Sequence, residues 1–552
     1  MPSRETLLIL HGVFPLAAFT QRIRELTIFL PFLSYAEVHY RPWFVPSLIF
    51  MKRPEILFDA PTRVEPEQPI PLFLFIKDAD RFPVELEDVS IHIIYENGRG
   101  RIGRFPYGGL RVDTPIWWDS FNIHPEFSGQ AIMHCSIRLR LGKKHVIVYM
   151  DNYRGSGKTP LSVNASASKL PTGEGWYHGD IHCHTYYTSD QVEFGAPLEA
   201  MALAGYCMGM DWMAVTDHSY DLDDREDNYL AEDPLHTKWR TMKNESQALT
   251  DSLRSFTVIP GEEVTCRTRE GRNCHLLALN ADAFIKGSGD GGERGFSSTT
   301  ERTVGEAVAE CLEWGGLACA AHPLERIPFL ERLFLGRGAW TLPDMETPGL
   351  SALQIHNGIR DRGFTSGMRT WIQFLLKGRR ISAFGGNDSH GDLNYRRGVS
   401  LPFLSLYESR KRAFGGVRTL VYAPSQSAAD IMEALRGGRT QVSEGPFIDL
   451  TLAAGDRVAH PGGKISPGRF TVRAVLKSSP EFGLVKTARI LAGCKGAHEE
   501  KVLAALDVFP RTNYQYLYEG ECDLDDLLYI RAECETEKDK LCFTNPVWVG
   551  RE

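Results

Sequence analysis

Short apolar runs separated by turn residues dominate the chain up to about residue 163, and return from about residue 440. Between these limits the pattern changes: strand-like runs alternate with longer stretches whose apolar residues recur at helical spacing. In the first part, runs at 71–76, 89–94, 131–141 and 145–149 predict an antiparallel sandwich over 53–163. Residues 162–175 are small and polar and read as a linker. In the middle part, strands are expected at 179–184, 212–215, 256–259, 274–279, 317–321, 350–355 and 381–384. Helices are expected at 198–208, 237–253, 303–314 and 369–377, with Pro197 opening the first and Gly209 closing it. Pro260-Gly261 reads as a turn. A helix at 428–436 leads into strands at 448–452, 470–476 and 547–549, a C-terminal β domain.

The middle alternation implies βα units around a parallel sheet or barrel, a class in which functional groups gather beyond the carboxyl ends of strands. Polar residues with metal-binding chemistry fall there. His182 and His184 are two apart on a short strand, so both imidazoles share a face. His218, Glu263, His275, His322, Asp388 and His390 follow near later strand ends, and Asp190 closes the first stretch. Imidazole and carboxylate without thiolate suits Zn, Mn or Fe in a hydrolytic site, and so many dispersed candidates suit two or three divalent ions.

In order, His182-x-His184, Thr216-Asp217-His218, Pro260-Gly261-x-Glu263, Ala321-His322-Pro323 and Gly386-x-Asp388-x-His390 resemble the five-part signature of the PHP (polymerase and histidinol phosphatase) metallohydrolases. The resemblance covers roughly 176–423. Glu444-Gly445-Pro446-Phe447 and Phe543-Thr544-Asn545-Pro546-Val547 resemble the CehA/McbA-type branch. It implies an α/β fold, a distorted (β/α)7 barrel over 171–430. An N-terminal sandwich-like unit (1–170) and a C-terminal β unit (431–552) would flank it. It also implies that His182, His184, Glu263 and Asp388 hold one metal, and that Glu263 bridges to a second completed by His275 and His322. A third would take Asp190, His218 and His390. Glu263, Asp388 and His218 would be catalytic, Glu262 is a weaker alternative to Glu263, and Asp217 would orient a histidine. Arg396, Arg397 and His356 are candidate substrate contacts, the arginines for a phosphate oxygen; His178 and His236 read as surface residues. Two departures stand out: Asp190 follows His184 one residue later than the family spacing, and Gln354 stands where relatives carry glutamate, which points to the barrel rim or substrate contacts.

Composition narrows the partners. A formal net charge of −8 without a long Lys/Arg run argues against an obligate nucleic-acid partner. Eleven scattered cysteines with no C-x-x-C pair point to reduced thiols and a cytoplasmic setting. Glu37, His39 and Arg41 interrupt the apolar stretch 26–50, so no membrane span is expected; the aromatic-rich first fifty residues suit packing on a neighbouring domain or subunit, which leaves a homo-oligomer open. Gly157-Lys158-Thr159 is not a phosphate loop, because Asn152 replaces its first glycine and Pro160 follows it.

The expected function is hydrolysis of phosphomonoesters or phosphodiesters of a small molecule by a metal-bridging hydroxide. A second reading is ester, amide or carbamate hydrolysis, favoured by an apolar pocket with few cations. A third is a non-catalytic PHP module, which would be expected to lose ligands.

Overall fold

A computed structural model describes residues 53–152, 158–188, 195–225, 228–288, 300–327, 332–333, 336–394, 398–401, 404–407, 412–505, 513–524 and 526–550. Residues 1–52, Asp190, Arg396 and Arg397 lie outside them.

The N-terminal unit is two sheets over one core. Glu55–Asp59, Ile70–Lys77 and Ile116–Ile123 form the smaller sheet; Val84–Tyr95 and Gly129–Leu141 are the long central strands of the larger. Alternate residues of those strands, such as Ile91, Ile93, Ile137 and Leu139, turn inward onto Leu72, Leu74 and Ile76. The expected linker is partly strand: Leu161–Ala165 pairs with Gly129–Leu141 on one side and Arg63–Val64 on the other.

The middle of the chain supplies strands β1 (Trp176–His184), β2 (Trp212–Val215), β3 (Thr257–Arg267), β4 (Asn273–Leu279), β5 (Leu317–Ala320), β6 (Ala352–Asn357), β7 (Ser382–Gly386), β8 (Arg418–Tyr422) and β9 (Thr440–Ser443). Helices α1 (Leu198–Met208), α2 (Thr237–Ser252), α3 (Val304–Glu313) and α4 (Arg362–Leu376) fall between them. Local signals explain the helix ends. Gly209 closes α1 in the left-handed region, and Thr303 with Glu306 forms a capping box on α3. α4 starts earlier than the pattern suggests, at an Asp361 cap that accepts from Phe364 N at 3.0 Å; Gly363 and Gly367 obscure its first turns.

These strands do not close into a (β/α)7 barrel. They form a 16-stranded mixed sheet whose hydrogen-bonded order runs β7-β6-β5-β4-β3-β2-β1-β8-β9 and on into Leu541–Thr544, Leu527–Thr536 and Val485–Cys494. Only β1/β2, β2/β3, β5/β6 and β6/β7 are parallel among the first seven; β3/β4 and β4/β5 are antiparallel. One edge of β1 is taken by β2; the other is divided, β8 pairing antiparallel with Trp176–Gly179 and Ser389–His390, just past β7, pairing parallel with Cys183 and His184. Strand accounts for 45% of the structure and helix for 16%, where a βα barrel needs helix to cover every crossover.

Pro260-Gly261 is not a turn. It lies inside β3, where Pro260 pairs with Val215 and the strand continues through Glu263 N, which donates to Asp217 O at 3.0 Å. Close approach explains one glycine: a Cβ on Gly179 would sit 2.1 Å from the Trp212 ring. Beyond β9, Phe447–Ala454, Phe470–Lys477 and Gln515–Cys522 form a second C-terminal sheet, packed through Leu450, Val472 and Ala474 on Ile490 and Ile530 of the large one. Among the described residues no helix is long and apolar enough to cross a membrane. All the cysteines are free, and all but Cys494 are buried.

Candidate metal centre

β1 delivers His182 and His184 to one point, fully buried, with their Nε2 atoms 3.2 Å apart. Each ring has a partner at its other nitrogen, so the two Nε2 atoms are the ones left facing each other. His182 Nδ1 donates to Gln354 Oε1 at 2.8 Å, and the same oxygen also faces His322 N at 3.4 Å, which identifies it as the acceptor end of the amide. His184 Nδ1 donates to Thr188 Oγ1 at 3.3 Å, whose own hydroxyl donates to Asp217 Oδ1 at 2.8 Å. His390 Nδ1 donates to Asp388 O at 3.1 Å. In all three, Nδ1 is engaged by the protein and Nε2 is left for the centre, the ring nitrogen a metal ligand would use.

The carboxylates stand among these nitrogens. Glu263, from β3, approaches His275 Nδ1 at 2.9 Å, His218 Nδ1 at 3.0 Å, His322 Nε2 at 3.2 Å and His182 Nε2 at 3.4 Å. Asp388 Oδ1 lies 3.3 Å from both His182 Nε2 and His184 Nε2. The pair His218 Nδ1 and Glu263 Oε2 is within reach but misaligned, and both atoms are buried without a hydrogen bond. Such orphaned polar atoms cost folding free energy unless something else satisfies them.

Electrostatics keeps the carboxylates ionised. Burial pushes the Glu263 carboxyl up, but His275 and His182 outweigh it and hold it well below the usual range; His182 does the same for Asp388. Burial disfavours charge on His182, yet Asp388 and Glu263 lift its pKa to about 9. Burial, then His390 and His218, keeps His184 neutral.

Eight of the nine candidate ligands therefore converge, in three sets whose donor atoms lie within 4.8 Å of one another: His182, Glu263, His322 and Asp388; His218, Glu263 and His275; His184, His218 and His390. Glu263 and His218 each belong to two sets, and of the two only the carboxylate has two oxygens on one group to share between neighbouring ions. The partition differs from the implied one, since His322 joins His182 and Asp388 rather than His275, and His184 joins His218 and His390. The backbone is strained where two ligands emerge: His322 has φ 28° and Asp388 φ 52°, a region L-residues seldom occupy.

Glu262 points to the other face of β3, where it accepts from Ile285 N at 2.9 Å and Ser219 Oγ at 3.1 Å, so alternation excludes it from the centre. Asp217 is a positioning residue: besides Thr188 it accepts from Thr185 N at 2.7 Å. His356 does not join the centre. A register shift after Gln354 turns it away from the centre, onto Phe364 and to within 3.3 Å of Glu444. His178 is buried rather than superficial; His236 stacks on Phe284. Gln354 is fully buried behind His182, not on a rim.

Four residues escaped the sequence reading. Asp180, two before His182 and hence on its face, accepts from His182 N at 3.1 Å, Asn387 Nδ2 at 2.6 Å and Gly415 N at 3.2 Å; burial lifts its pKa to about 6. The alternation around His182 was signal enough to find it. Asn357 donates to Asp388 Oδ2 at 3.2 Å and to Glu325 Oε2 at 3.1 Å. Arg412 pairs with Glu325 and reaches Asp388 Oδ2 at 3.5 Å, beside a cleft it lines with His322 and Glu325. Nothing in the local sequence marks Arg412 or Glu325.

No protein-family model and no curated protein matches the chain. Solved structures it can be laid over include a glycosyl hydrolase family 2 member from Bacteroides cellulosilyticus (9% identity, 91% of this chain and 64% of that one, TM-score 0.15). Others are the β-glucuronidase of Parabacteroides merdae (6%, 91% and 66%, 0.19) and trypsin-activated α-2-macroglobulin from Escherichia coli (8%, 92% and 24%, 0.15). At these scores the likeness carries no argument for fold or activity.

Proposed function

We propose that this chain is a metal-dependent hydrolase of small phosphoesters, using the ligand set that resembles the PHP metallohydrolases. The observation that carries the reading is the convergence of six imidazoles on Glu263 and Asp388, with His218 Nδ1 and Glu263 Oε2 buried and unsatisfied. A mixed imidazole and carboxylate set, with histidine ring nitrogens directed at Glu263 and Asp388, fits Zn, Mn or Fe, and Glu263 would be shared between two ions. Bound there, divalent ions would acidify water and offset charge growing on a reacting phosphoryl group.

The remaining steps belong to the chain. Gln354, Thr188 with Asp217, and the Asp388 carbonyl fix the rings of His182, His184 and His390. Asn357 orients Asp388. Arg412, at the cleft, is the cation that would hold a phosphate oxygen, and its presence favours a phosphoester over a carboxylic ester, amide or carbamate. A non-catalytic role is disfavoured because a ligand set with no chemical use would not keep unsatisfied atoms buried.

Metal analysis of the purified chain, combined with chromogenic phosphomonoesters, phosphodiesters and carboxylic esters, tests this. Expected are at least about one metal equivalent per chain and turnover of a phosphoester that a chelator removes. A chain that holds no transition metal and gains no activity from Mn²⁺ or Zn²⁺ would sink the enzyme reading; turnover of carboxylic esters alone would move it to the carbon-centre alternative.

A further inference from the structure

Arg418 opens β8 with its side chain among the largest fully buried ones. Its Nη1 donates to Gly415 O at 3.1 Å, while Nε and Nη2 have no hydrogen-bond partner. Those two are the parallel donors on one edge of the guanidinium, the edge that takes two oxygens of a carboxylate or phosphate. The nearby carboxylates are already spoken for. Arg63 holds Glu481 Oε1 at 3.0 Å and Glu65 Oε1 at 2.8 Å, and Ser166 Oγ also donates to Glu481 at 2.9 Å. Burial lowers the pKa of Arg418 only to about 10, so it keeps its charge at neutral pH.

Arg418 also forms part of the wall of an open cavity of about 520 Å³ where the three parts of the molecule meet. Arg63 and Ser166 line it from the N-terminal unit, Gly415 from the turn before β8, and Lys538 and Lys540 from the turn between Leu527–Thr536 and Leu541–Thr544. Glu444, on the same wall, is engaged by Arg360 at 3.5 Å and by His356. None of the metal-centre ligands lines this cavity.

We propose that this junction is a binding site for a small tetrahedral oxyanion such as phosphate, held by Nε and Nη2 of Arg418 and completed by Lys540. Arg418 Cζ lies over the Phe482 ring, 5.8 Å from its centroid, and Phe482 lines the same cavity, so the guanidinium and the cavity share a wall. The anion answers two unused buried donors, on walls whose cations (Arg63, Arg418, Lys538 and Lys540) outnumber their carboxylates (Glu96, Glu444 and Glu481) by one. The inference is independent of the metal-centre reading.

Calorimetric titration of the full chain with inorganic phosphate at constant ionic strength tests it. One saturable phosphate is expected, weakened about tenfold or more by Arg418→Gln and severalfold by Lys540→Gln. The same event should persist in Glu263→Gln, which disables the metal centre instead. If Arg418→Gln does not fold, Lys540→Gln decides, because Lys540 is partly exposed and its loss leaves the core intact. Absence of saturable binding overturns the proposal, as does equal binding by wild type and the folded variant. Binding lost in Glu263→Gln but kept in Arg418→Gln also overturns it, since that places phosphate on the metal centre.

Discussion

Arg531 and Glu263 are both buried charges at the heart of a cluster, and their surroundings follow opposite rules. Around Arg531 each guanidinium nitrogen is matched. Its Nε and Nη2 meet the two oxygens of Glu500 at 2.7 and 2.6 Å, its Nη1 meets Glu533 at 2.7 Å, Tyr529 Oη adds 2.9 Å to Glu500, and the guanidinium lies over Trp371. Around Glu263 imidazoles crowd a carboxylate from several sides, and the contacts include atoms with no hydrogen bond. A closed network has spent its valences on holding strands together. An open one of the same charge density is organised for something the chain alone does not supply. Burial of charge therefore says little about role until the partners are counted.

Four experiments press on that contrast. Glu263→Gln should reduce turnover and bound metal by more than about a hundredfold, beyond what loss of an indirect ligand contact causes, while its metal-free form unfolds no earlier than wild type. Full activity, with metal content unchanged, would remove Glu263 from the bridging position. Glu500→Gln should do the reverse: about 3–5 kcal/mol less stability in denaturant unfolding, because Arg531 loses its two-point partner, with metal content intact. Gln354→Leu should weaken metal affinity about 10–100-fold by releasing His182 Nδ1, with little change in stability; unaltered affinity would show that the ring is held by packing alone.

The smallest effect concerns Glu262. Burial raises its pKa from 4.5 to about 8, so the folded state binds this proton more tightly than the unfolded state does. Stability from this group is therefore full below about pH 4.5 and is lost as pH rises towards 8. In the metal-free protein, Glu262→Gln should flatten the fall in melting temperature across that window. A variant that tracks wild type at every pH would show Glu262 ionised in the fold.

Much of the centre could be read from the chain, because its ligands obey strand alternation: His182 and His184 share a face, and Glu262 and Glu263 oppose each other. Helix boundaries were legible where a cap marks them, as at Gly209 and Thr303. What stayed hidden depends on register and on distant loops. His356 is two residues past Gln354, and only the register shift between them turns it from the centre. Arg412 reaches Asp388 from a loop that local pattern cannot place. The barrel expectation failed for the same reason: alternating strands and helices fix the elements, but the antiparallel β3/β4/β5 pairings and the place of β8 on β1 are decided by pairing far apart in sequence.

The unbroken sheet has a practical consequence for anyone who would cut this molecule. β9 pairs with Leu541–Thr544, and Asn545 next to it bonds both N and O of Ala383 at 2.8 and 2.9 Å. Trimming the chain at residue 430 would strip β8 of its neighbour and leave a row of unpaired amides and carbonyls facing water. Such a rim recruits other strands, including those of its own copies. The fragment that looks self-contained by motif would be the one prone to precipitate, because Leu541–Asn545 cover the sheet beside the candidate centre.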